Sequence, residues 1–188
     1  MRMDYGIHGD KYMSELFVNK IYSHTDANNQ IEIPSGNILY APGHVIQVVQ
    51  TISTSHETIN TASWVATNAY ATITPKSSSS KILVQMTGAI RAYNNSGTDA
   101  RGAWRLYKDI GGGGYNRVGT HQMTHRSYDY GNSGLINDIP FHIQYLDSPA
   151  TTSAVTYKLY GYKEAGTAIE LGPDGDDEQY VTLMEIAA

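Results

Sequence analysis

A chain of 188 residues with 40% hydrophobic and 16% charged residues is long enough for one domain with a real core and too short for a multidomain enzyme. Thirteen Lys and Arg against 18 Asp and Glu leave a formal charge of −5 with no local basic patch, which argues against nucleic acid as a partner, and the absence of cysteine excludes disulfides, thiolate metal sites and thiol nucleophiles. No apolar run reaches the roughly eighteen residues of a membrane helix, and Met1–Tyr12 carries no apolar stretch fit for a signal peptide, so the expectation is a soluble, unsecreted product with no membrane insertion.

Abundant Thr, Ser, Gly and Tyr favour strands and turns over helices. The first strand is expected at Glu15–Tyr22, within a region of short apolar pieces that ends at Pro42. Leu16, Val18, Ile21, Ile31, Ile33 and Ile38 are too few to make a core within one chain. Several copies wrapped around a common axis would bury them in a narrow intertwined stem, because an isolated hairpin is marginal in water. An ordinary edge hairpin is the alternative. Residues 1–42 are thus read as an N-terminal arm and stem, and residues 43–188 as the head.

Within the head, strands are expected at His44–Ile52 and Ala69–Thr74, then at Lys81–Tyr93 with Ile82, Val84, Met86 and Ile90 on one face and Gln85, Thr87 and Arg91 on the other. Gly102–Asp109 and Arg117–Thr124 follow. Ile139, Phe141, Ile143 and Tyr145 then alternate with Pro140, His142 and Gln144, and Val155, Tyr157 and Leu159 alternate with Thr156, Lys158 and Tyr160, the period of half-buried strands. Gln179–Ile186 is the last. No helical stripe is found. Many short strands separated by turn-rich segments predict an all-β, antiparallel β-sandwich of jelly-roll-like type.

Candidate chemistry is sparse. His121 and His125 would share a strand face, but about 13 Å separates residues four apart on a strand, too far for one metal ion. The segment Leu171–Glu178 concentrates carboxylates, and Asp174, Asp176 and Asp177 could offer oxygens to calcium, yet the twelve-residue ligand spacing is missing and a solvated acidic turn is the simpler reading. Gly111–Gly114 lacks the following Gly-Lys-Ser/Thr of a phosphate cradle and reads as a hairpin tip. No nucleophile elbow and no carboxylate pair points to catalysis, so a non-enzymatic protein without cofactors is expected. Tyr93, Trp104, Tyr107, Tyr115, Tyr128 and Tyr130 fall in or beside three loops. Aromatic faces stack on saccharide C–H groups, so Asn94, Asn95, Asp99, Tyr115, Tyr128 and Tyr130 are the candidate glycan contacts. The competing reading places Trp104 and half the tyrosines in core or inter-subunit packing.

Four separated segments, in order, carry a resemblance: Ser14-Glu-Leu-Phe-Val-Asn-Lys-Ile21 with Ile33-Pro-Ser-Gly36 and Pro42–Gln50; Ala71–Val84 with its serine-rich turn; Tyr145–Tyr157; and Thr182–Ala187. Together they resemble the small tail-fibre and virion structural proteins of marine and cyanobacterial tailed phages. The resemblance implies a homotrimeric all-β virion component, used as a tail fibre or receptor-binding part or as a capsid decoration protein, assembled in the host cytoplasm. It also implies that the N-terminal arm contacts another virion protein of the tail or capsid. Met13 matches the usual start of such proteins, which makes Met1–Tyr12 an extension. Tyr5, Ile7, His8 and Tyr12 of that extension are its candidate particle-docking residues, unless it is a tail with no such role. The axial His-x-His iron site of some phage fibres has no counterpart in this sequence. A small carbohydrate-binding module, working as a monomer or dimer, is the reading from another class.

Overall fold

The computed structural model describes residues 41–95, 99–120, 123–128 and 135–188. The stem residues Leu16, Val18, Ile21, Ile31, Ile33 and Ile38, the docking residues Tyr5, Ile7, His8 and Tyr12, and also His121 and Tyr130 lie outside the described residues. The described residues form strands and no helix: β1 Val45–Ser53, β2 Glu57–Ile59, β3 Val65–Ile73, β4 Lys81–Asn94, β5 Asp99–Ile110, β6 Asn116–Arg117, β7 Met123–Tyr128, β8 Leu135–Asp147, β9 Val155–Ala165, β10 Ala168–Leu171 and β11 Gln179–Ile186.

All pairings are antiparallel and fall into two sheets. In sheet A the long strand β4 is central: β8 lines one edge along its whole length, while the other edge is shared by β11, which leads on to β1, and by β10, which leads on to β2. Sheet B has the order β3, β9, β5, with β7 and β6 sharing the far edge of β5. The chain crosses repeatedly between the sheets, and the result is a jelly-roll-like antiparallel sandwich.

Period-two alternation decides which side chains make the core. Ile82, Val84, Met86, Ile90 and Ala92 of β4 are fully buried, as are Val155, Tyr157 and Leu159 of β9 and Val181 and Leu183 of β11. They meet Trp104 and Leu106 of β5 between the sheets. The expected faces of β4, β8 and β9 match the structure, with Phe141 buried and Ile139, Ile143 and Tyr145 packed on the core. Gly161 on β9 is a packing requirement, since a Cβ there would lie 2.4 Å from Ile59 and 2.8 Å from the Trp104 ring.

Buried polar groups tie loops and sheets together. The Glu185 carboxylate, inside the sandwich on β11, accepts hydrogen bonds from the Gln47 amide at 2.5 Å and from the backbone N–H groups of Lys76 and Ser77 at 2.7 and 3.3 Å. That carboxylate organises the serine-rich turn before β4. Across the sandwich, Asp147 at the end of β8 accepts from the Lys108 ammonium at 2.6 Å and the Tyr157 hydroxyl at 2.8 Å, both in sheet B.

One expected strand is corrected. Arg117–Thr124 is not continuous: β6 ends at Arg117, the chain turns at Val118–Thr120 with Gly119 at φ +64°, and β7 begins at Met123. A left-handed glycine beside the Tyr145 ring breaks the ladder there. The short strands β2 and β10 lie in segments that the sequence reading left without a strand.

Candidate functional site

The outer side of sheet B gathers Trp64, Tyr70, Tyr107, Tyr115, Tyr160 and Tyr162. Register places Tyr70 of β3, Lys158 of β9 and Tyr107 of β5 in one row, and Tyr160 beside Arg105 in the next. Trp64, just before β3, reaches Tyr162 with ring centroids 5.3 Å apart. Tyr160 stacks against Tyr107 at 4.1 Å and against Tyr115 at 5.8 Å.

Two cations lie over these rings. The Arg105 guanidinium sits 4.0 Å above Trp64, and the Lys158 ammonium lies 4.5 Å from the Tyr70 ring and 5.4 Å from that of Tyr115. In each contact the cation is attracted to the negative face of the ring. Tyr115 is delivered by the β5–β6 hairpin, whose glycines at 111, 112 and 114 take positive φ and whose Gly114 N–H is held by the Asp109 carboxylate at 2.9 Å. Burial, then the nearby Asp109 carboxylate, pushes the Tyr115 phenol above the usual tyrosine range, and burial followed by Tyr115 does the same for Tyr160. Both stay neutral hydrogen-bonding groups at any physiological pH. The face therefore combines half-exposed ring surface with phenol, ammonium and guanidinium donors, the chemistry that binds a polyhydroxylated, partly apolar ligand.

The predicted contact residues are divided by the fold. Asn94, Asn95 and Asp99 sit at the β4–β5 end, where the Asn94 amide donates to the Asp99 carbonyl at 2.9 Å, Asn95 N–H to the Thr167 hydroxyl at 3.0 Å, and Asp99 pairs with Arg101 at 2.9 Å. Tyr128 is the backbone partner of Asp99. Tyr115 lies at the other end of β5, about 35 Å away at 3.3 Å per residue, so it stands apart from Asn94, Asn95 and Asp99, while Tyr130 lies outside the described residues. Trp104 is fully buried core, while Tyr107 does join the aromatic face. Trp64, Tyr70, Tyr160 and Tyr162 were missed. Their signal was the outward parity already assigned to Lys158 and Tyr160: aromatic residues on the wet side of a strand.

The acidic turn joins β10 to β11. Its Asp174 carboxylate bonds Arg91 at 3.0 Å, and Asp177 accepts the Asp174 N–H at 3.1 Å. Arg91 also grips Asp138 through two bonds of 2.5 and 2.8 Å and reaches Glu170 at 3.3 Å. Arg91 thus bridges Asp138, Asp174 and Glu170, and among the described residues no group of three or more His, Asp or Glu is arranged to hold a metal ion. Asp176 stands exposed beside them.

A cleft of about 380 Å³ opens between β5 and the edge strand β8, lined by Trp104, Leu106, Val118, Met123, Ile143 and Tyr145. The Trp104 indole N–H is buried with no hydrogen-bond partner among the described residues. Among the described residues no helix is long and apolar enough to cross a membrane.

No family model matches the chain, and no curated protein matches it. Among solved structures it is similar to Eiger TNF from S. frugiperda, with 13% identity, 56% of this chain and 59% of that chain covered, and a TM-score of 0.33. It is also similar to infectious bursal disease virus structures: the Gt strain at 12% identity, covering 85% of this chain and 42% of that one with TM-score 0.37, and the Gx strain with the same identity and coverage and TM-score 0.27. The chain thus spans less than two thirds of each of these proteins.

Proposed function

We propose that the chain is a non-enzymatic structural component of a phage virion, a homotrimeric tail fibre or spike protein whose head contacts host-surface glycan through the outer face of sheet B. Support for the virion role comes from the ordered resemblance of Ser14–Ile21, Ala71–Val84, Tyr145–Tyr157 and Thr182–Ala187 to phage fibre proteins, on a jelly-roll-like sandwich. The observation that carries the glycan contact is the run of rings from Trp64 and Tyr162 through Tyr160 and Tyr107 to Tyr115 and Tyr70, with Arg105 and Lys158 over it. In this reading the N-terminal arm holds the particle and the head faces outward.

The test is binding of the full chain to an array of bacterial lipopolysaccharide and capsular glycans. Saturable binding that falls at least tenfold in Tyr70→Ala and Tyr115→Ala, with the thermal melt retained, is the expected result. No binding, or binding that both variants retain, refutes the glycan face.

A further inference from the structure

The ladder along the far edge of β5 is interrupted. β7 pairs with Asp99 to Trp104 and β6 with Tyr107 and Lys108, and at the break between them the Val118 N–H reaches the Leu106 carbonyl at 2.9 Å. The cleft of about 380 Å³ opens at this gap, between β5 and β8, within the size range of small-molecule sites. Gly119 in the intervening turn lies directly against Tyr145, since a Cβ there would stand 3.0 Å from the Tyr145 ring, so the broken edge of sheet B is tied to β8. Leu106 and Val118 are buried, and Met123 and Ile143 pack on the core as half-buried walls.

One polar group is left over inside this apolar lining. Trp104 is 0% exposed and lines the cleft, and its indole N–H has no hydrogen-bond partner among the described residues, where native folds satisfy nearly every buried donor. Its direction follows from its neighbours. The Trp104 atoms nearest Gly161 of β9 are Cζ3 and Cε3, 2.8 and 3.1 Å from where a Cβ on that glycine would stand. Nε1 lies on the opposite edge of an indole, so the N–H is turned away from β9 and towards β7, whose Met123 pairs with Trp104 and lines the cleft. An indole N–H is a donor alone and asks for a lone pair. Water is a poor match there, because a buried water needs two to four polar partners and the side chains around the ring are Leu106, Val118, Met123 and Ile143. The lining contains no Asp, Glu or Lys, the Arg105 guanidinium lies over Trp64 on the outer face, and His142 and Gln144 are exposed, so no buried charge waits for an ion.

We propose that the cleft binds a small neutral aromatic or alicyclic molecule carrying a hydrogen-bond acceptor, its apolar body against Leu106, Val118, Met123 and Ile143 and its acceptor oxygen on the Trp104 indole N–H. The site goes beyond the proposed function and does not rest on it: Trp104 faces the interior, whereas the glycan face uses the outward rings of sheet B.

Titration of the 15N-labelled full chain with 2-acetylnaphthalene and with 2-ethylnaphthalene, followed at the indole N–H resonances, tests it. The sequence holds two tryptophans, so Trp64→Phe assigns the Trp104 signal. The two probes have the same shape and differ in the ketone oxygen. The ketone should bind saturably, at least fivefold more tightly than the hydrocarbon, and should move the Trp104 indole proton further downfield. Ile143→Phe, which narrows the cleft, should weaken the ketone at least tenfold; if that variant does not fold, the comparison of the two probes on the wild type decides the matter. No saturable binding of either probe, equal binding of both, a Trp104 signal that stays in place, or a folded Ile143→Phe that binds as the wild type does overturns the proposal. Tyr70→Ala/Tyr115→Ala, which tests the glycan reading, should leave this titration unchanged, and loss of probe binding in that variant would place the probe on the outer face and overturn the cleft site.

Discussion

Tyr157→Phe tests whether the two sheets are tied by the network of Asp147, Lys108 and Tyr157. Tyr157 is fully buried, Asp147 is 7% exposed, and the lost O–H is one of two donors to the same carboxylate oxygen at 2.8 and 2.6 Å. Phenylalanine keeps the ring and its packing, so the change removes a hydrogen bond to a charged acceptor and leaves Lys108 as the remaining donor. Such bonds contribute about 1.5–3 kcal/mol, and leaving the oxygen half-satisfied puts the expected loss in that range. At about 2–4 °C per kcal/mol for a chain of this length, the melting temperature should fall by about 3–12 °C.

The pH dependence adds a second check. Burial, then the bond to Asp147, holds the Tyr157 phenol well above the usual tyrosine range. The folded state thus keeps a proton that the unfolded chain loses near pH 10, so the stabilisation is complete below about pH 10 and is lost as pH rises, by about 1.4 kcal/mol per unit for this one group. Urea denaturation of wild type and variant at pH 7, 10 and 11 measures both effects. The gap between the two proteins should narrow above pH 10. A gap below about 0.5 kcal/mol at pH 7, or one unchanged through pH 11, refutes the reasoning.

Glu185→Ala should cost about 2–3 kcal/mol by urea denaturation, because the Gln47 amide and the Lys76 and Ser77 N–H groups lose their acceptor inside the fold. Glu185→Gln should recover part of that loss, since its amide oxygen still accepts. Gly161→Ala should destabilise by about 1–3 kcal/mol through the clash with Ile59 and Trp104, with a matching loss of near-ultraviolet circular dichroism from the displaced indole. Arg105→Ala should reduce glycan binding together with Tyr70→Ala and Tyr115→Ala, since it uncovers and unfixes the Trp64 ring.

Much of the head was legible because its strands obey one rule. Where apolar and polar residues alternate over many positions, as in Lys81–Asn94 and Val155–Ala165, period two names both the strand and its buried face. The rule fails for Glu57–Ile59 and Ala168–Leu171, which are too short to display a period and exist because β10 fills the stretch of β4 beyond the end of β11. It failed again at Arg117–Thr124, where composition looked continuous and a single positive-φ glycine ended the ladder.

The aromatic site was half legible for a different reason. Tyr107 and Tyr115 were picked from their nearness to loops, and loops adjacent in sequence were assumed to lie together. A twelve-residue strand separates the loop at its start from the one at its end, which is why Asp99 and Tyr115 cannot share a ligand. Trp64, Tyr70, Tyr160 and Tyr162 are instead joined by the lateral order β3, β9, β5, and that order is set by long-range pairing that no local pattern encodes.

The proposed role in a virion tail, with the head turned outward, is tested by gold-labelled antibody raised against the full chain and imaged by electron microscopy on intact particles. Label confined to the tail is the predicted result; label scattered over the capsid shell, or none on the particles, contradicts it.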